Sequence, residues 1–126
     1  MTTRFLVTVN TALFLVAAIA CAFFAEPWAR FVWLVVASIA GINGVWHAGA
    51  SLRGGRYSPG SVTGLLVHAP LAAYAYAHFV GCGWVSPRNA ITAASFGAAY
   101  WILSEGRKLL KRAQRDVRAP HLSVLR

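Results

Sequence analysis

From Phe5 to Ala25 the chain carries no charged side chain, and this apolar run constrains the fold more than any other feature. At 1.5 Å per residue a helix over 5–25 matches a hydrocarbon core about 30 Å thick, where the backbone must satisfy its own hydrogen bonds and only helices or closed barrels persist. Two more apolar runs, 28–52 and 61–81, follow, and a fourth begins near Asn89. Short turns separate them: Glu26-Pro27, then Arg53-Gly54-Gly55-Arg56-Tyr57-Ser58-Pro59-Gly60, then Gly81 to Arg88. Short connections make successive helices antiparallel neighbours. The pattern predicts an all-α integral membrane four-helix bundle with spans at 5–25, 28–52, 61–81 and 89–106. These spans form one domain over 1–112, followed by a frayed basic tail, 113–126. Arg4 before an apolar stretch and the small residues around Cys21 also fit a secretory leader. No soluble mature domain follows, so the first run is expected to stay in place as a span.

Composition agrees. The chain is 58% hydrophobic and 12% charged, with a mean hydropathy of +0.57, whereas soluble domains carry about 25% charged residues. Twelve Lys and Arg against three Asp and Glu give a net charge of +9, which in a soluble protein would suggest nucleic acid. Here the cations flank the apolar runs, so topology and lipid headgroups account for them and no nucleic-acid partner is expected. With four spans, every Lys and Arg except Arg30 and Arg88 falls on one side. By the positive-inside rule both termini and the middle loop are cytoplasmic, and the expected home is a bacterial inner membrane. The expected partners are membrane lipids, with a homo-oligomer or larger membrane complex to cover lipid-facing surface.

Within the second run Ala40, Gly44 and Ala48 recur every four residues, the small-residue face that lets helix backbones approach closely. Ser61 is placed to cap the third helix. Pro70 removes a helical hydrogen bond and tends to leave the Leu66 carbonyl free, bending the helix. Trp28, Trp33 and Trp84 suit an interface, and Trp46 and Trp101 read as packing residues. Tyr74 and Tyr76 face two sides of their helix. His78 lies toward the outer face as a partner for Glu26, and Cys21 and Cys82 read as small apolar residues or, if close enough, a disulfide.

The polar groups inside the runs are the candidate site, because ionisable groups at membrane depth need partners or a cavity. Asn10, His47 and His68 fall at roughly similar depths, about 7–11 Å from the cytoplasmic ends. Asn43 lies one turn deeper, and Glu105 just outside the layer. Three readings stay open. The residues satisfy one another across helix contacts in an accessory or binding protein for a lipid, cofactor or partner helix. Alternatively, His47 and His68 ligate a metal with Glu105 assisting, as in a small intramembrane enzyme acting on a lipid or isoprenoid-like substrate. In the third, facing His residues hold haem or another tetrapyrrole as a subunit of a larger complex.

Asn43-x-x-x-His47, the basic turn, Tyr57-Ser58-Pro59-Gly60-x-x-Thr63 and Pro70 together resemble the small bacterial membrane proteins of the HXXEE family. Phe5 to Asn10 is similar to the start of that family's second helix. The resemblance adds Tyr57 and Thr63 to the polar set. The His followed by adjacent Glu residues that names the family is absent: Glu26 and Glu105 stand alone. The resemblance therefore implies a degenerate member, or one that takes the missing helix from a partner.

Overall fold

The computed structural model describes the backbone of residues 3–55, 57 and 60–123, and the side chains of these except 3–7, 109, 111–113 and 115–123. Arg56, Ser58, Pro59 and residues 124–126 lie outside the described residues, as do nearly all side chains of the expected basic tail.

The described residues form four helices and no strand. They are α1 Thr3–Ala22, α2 Pro27–Gly54, α3 over 61–81, and α4 Pro87–Ser123. Pro27 opens α2 at the first helical position, where its missing N–H costs nothing, and Gly55 ends it in the left-handed conformation at φ 59°. α2 is long and apolar enough to cross a membrane, and α1 holds a shorter apolar stretch, Thr8–Ala22.

α3 is not a uniform helix. It opens as Ser61–Thr63, passes through a π-helical segment, Gly64–His68, and continues as Ala69–Gly81. Pro70 explains the change. It cannot donate to the Leu66 carbonyl, and just ahead of it the Ala69 N–H reaches back five residues to the Gly64 carbonyl. The expected bend is thus absorbed as a widened turn. Ser61 does not cap α3: Gly60 takes the cap position at φ 90°. The Ser61 hydroxyl instead donates to the His47 carbonyl at 3.2 Å and bonds the Ser51 hydroxyl at 2.7 Å, tying α3 to α2.

α4 is much longer than the expected 89–106 span, and its backbone stays helical to Ser123, well into the segment read as a frayed tail. Lys, Arg, Leu, Ala and Gln are strong helix formers, and no Pro intervenes until Pro120. Glu105 and Lys108 pair one turn apart on its surface.

α2 is the hub, the main packing partner of each of the other three helices. α3 and α4 touch each other little. Their shared core of Leu34, Ala75, Phe79, Val85, Ala90 and Ala93 gathers at the end of the molecule that holds the 82–86 turn. There the Trp84 and Val85 amides donate to the Phe79 carbonyl, and Phe24, Phe79 and Trp84 pack edge to face or tilted. Arg30 locks the same end, donating to the Phe24 and Ala25 carbonyls at 2.9 and 2.7 Å while its guanidinium lies over the Phe24 and Trp84 rings.

The closest backbone approach joins α2 to α3. A Cβ on Gly44 would lie 2.5 Å from the Gly64 carbonyl oxygen and 2.6 Å from the Gly64 Cα, so the small-residue face predicted from Gly44 meets a glycine on its partner. α4 meets α2 in the same manner, with Gly97 against Ser38.

Candidate functional site

Because α3 and α4 flank α2 without closing on each other, a groove opens between them with α2 as its floor. Its volume is about 770 Å³, within the usual range for small-molecule sites. The floor is one face of α2 from Ser38 to Arg53, with Gly41, Val45 and Gly49 spaced four apart along it. At 1.5 Å per residue this floor runs for about 22 Å. Small residues make the walls thin: Ala69, Ala72 and Ala73 from α3 and Ala94 from α4 line it.

The two ends differ in chemistry. At one end the Ser38 hydroxyl donates to the Leu34 carbonyl at 2.9 Å and meets the Tyr76 hydroxyl at 2.6 Å, while Tyr76 also reaches the Leu34 carbonyl at 3.3 Å. Both hydroxyl protons are therefore used within the protein. At the other end stands Arg53, exposed and without an ion-pair partner among the described residues. Between them, Trp46 and Trp101 pack edge to face with centroids 4.7 Å apart. Trp101 lines the groove, and its indole N–H is buried with no hydrogen-bond partner among the described residues.

The polar layer expected from the sequence sits elsewhere. Asn10, Asn43, Tyr57, Thr63 and His68 are exposed and His47 is half-buried. Of these only His68 lines a described cavity, a small one of about 130 Å³ shared with Ala17 of α1 and Trp33, Ala37 and Ala40 of α2. Asn43 and His47 share a face of α2 turned away from the groove. The physical reason is angular: residues four apart lie on one stripe, and the Asn43/His47 stripe is nearly opposite the stripe of Val45 and Gly49. Glu105 is engaged by Lys108. Among the described residues, no three His, Cys, Asp or Glu side chains stand where one ion could be held, so the expected His47, His68 and Glu105 site is not assembled. A tetrapyrrole between His47 and His68 finds no described cavity lined by both.

One smaller expectation is also corrected. His78 is partnered not by Glu26 but by Tyr74, stacked at 5.5 Å, and by Trp84 and Cys82. Cys21 and Cys82 are both free.

Sequence reasoning passed over Arg53, Trp101 and Tyr76. Arg53 read as part of a turn and Trp101 as packing. The available signal was the Gly41, Val45, Gly49, Arg53 stripe, apolar for three turns and then cationic.

No curated protein and no solved structure matches the chain. A family model described as proteins of unknown function with an HXXEE motif matches residues 1–75. That stretch carries α1, α2 and most of α3, including the floor of the groove and much of its α3 wall. The chain therefore belongs to the HXXEE family.

Proposed function

We propose that the chain is a multi-pass protein of a bacterial inner membrane, with both termini cytoplasmic, that acts as an accessory or binding protein for an apolar chain drawn from the bilayer. The observation that carries this reading is the groove itself: about 770 Å³, walled by alanines, glycines and aromatics, and ending at an arginine with no ion-pair partner among the described residues. Large apolar side chains pointing outward from the helices support the membrane setting. Phe14, Leu66, Ile91 and Leu103 are each more than 60% exposed, a surface that would aggregate in water. The distribution of Lys and Arg supports the orientation. On this reading the half of α4 beyond Glu105 leaves the membrane as a basic cytoplasmic helix.

The test is retention of lipid through gentle purification. One lipid per chain, identified by mass spectrometry of the intact complex and lost in Gly49→Phe, supports the reading. A Cβ at Gly49 meets nothing within 4 Å, so the phenyl ring can enter the groove without displacing backbone. Equal retention in wild type and Gly49→Phe contradicts it.

A second reading has its own observation. Asn10 and Asn43 are exposed on apolar helices, and a polar side chain facing lipid favours a covering helix. A partner helix, such as the carboxylate-bearing one the family name implies and this chain lacks, would meet that need. Co-purification of a stoichiometric membrane partner that Asn43→Leu abolishes would support it.

A further inference from the structure

We infer that the groove selects an anionic, phosphate-headed lipid of the cytoplasmic leaflet, its phosphate held by Arg53 and its chain laid along α2 toward Ser38. The inference rests on the reading of the groove as a lipid-chain site and adds the headgroup and the direction of entry. Two features of the groove carry it.

The first is charge. Arg53 is a cation at the open end of an otherwise apolar cavity, with no carboxylate on it among the described residues. A guanidinium presents a planar fork of donors that fits two phosphate oxygens at once. The second is polarity along the groove. The Ser38 and Tyr76 protons are committed to each other and to the Leu34 carbonyl, so that end offers a headgroup no donor and receives the methyl end of a chain.

The experiment places the full-length protein in nanodiscs of zwitterionic lipid. Phosphatidic acid or phosphatidylcholine is titrated in, each with a brominated acyl chain that quenches tryptophan on contact. Phosphatidic acid is expected to quench at a concentration about five- to tenfold lower than phosphatidylcholine, the factor set by one cation near an anionic headgroup. Arg53→Gln is expected to erase that preference while leaving quenching by both lipids at the weaker level. Arg107→Gln, which removes the same charge from an exposed position on α4, is expected to keep it.

Equal affinity for the two headgroups, or a preference that survives Arg53→Gln, would overturn the inference while the chain-binding reading stands. Quenching unaltered by Gly49→Phe, or a protein partner found in the groove in place of lipid, would overturn both.

Discussion

Replacing Gly44 by alanine is the sharpest perturbation of the fold that positions the groove. The added Cβ would stand 2.5 Å from the Gly64 carbonyl oxygen, where ordinary contact begins near 3.4 Å, so α2 and α3 must separate by about 1 Å. Both neighbours are backbone atoms, and no rotamer change relieves the clash. Overpacking of this kind costs about 1–3 kcal/mol. Separation also stretches the Ser61 hydroxyl bonds to Ser51 and His47 one turn away, each worth about 0.6 kcal/mol in the proposed membrane setting. The expected loss is about 2–4 kcal/mol, read as the shift in reversible unfolding by sodium dodecyl sulfate in mixed micelles, followed by circular dichroism. Gly106→Ala is the control. Its Cβ meets nothing within 4 Å, and relief of the glycine penalty in a helix is expected to leave stability unchanged or raise it by about 0.5–1 kcal/mol. A Gly44→Ala shift within about 0.5 kcal/mol of wild type would refute the close approach.

Other perturbations address the rest of the architecture. Tyr76→Phe removes the hydroxyl that meets Ser38 and Leu34 and is expected to cost about 0.5–1.5 kcal/mol in the same assay; no change would mean that these bonds do not hold α3 on α2. Arg30→Met keeps an aliphatic stem but loses two bonds to carbonyls and two ring contacts, with an expected loss of about 2–3 kcal/mol and faster hydrogen exchange in the 23–30 turn. Pro70→Ala restores an N–H beside the π segment and is expected to convert it to regular helix. Hydrogen exchange over 64–70 should then slow, and unchanged exchange would argue that another constraint sets the widened turn. Glu105→Gln breaks one surface pair on α4 and is expected to change stability by less than about 0.5 kcal/mol.

The helices were legible in the sequence because length and punctuation settle them. Apolar runs closed by Glu26-Pro27 and by the Gly-rich middle turn leave little freedom, and Gly44 announced a close contact before its partner Gly64 was known. What could not be read was rotation. Asn10, His47 and His68 share similar depths, but depth along a helix says nothing of the direction a side chain faces. That direction was fixed by the glycine contact, which turns the Asn43/His47 stripe away from the groove. The length of α4 was missed because charge density marks where a helix leaves a membrane, not where it ends. Arg53 was hidden by its place in a basic turn: its significance comes from the apolar cavity behind it, which exists only because α3 and α4 stand apart.

The most direct test of the central claim is a photo-crosslinking map. A phospholipid carrying a diazirine near the end of one acyl chain is incorporated into nanodiscs with the protein, activated, and its adducts located by peptide mass spectrometry. Adducts concentrated on groove residues, foremost Gly41, Ile42, Ala72 and Ala73, and lost in Gly49→Phe, are the predicted result. Adducts spread evenly over the outward faces, with Phe14, Leu15 and Ile91 labelled as strongly as the groove, would contradict the account.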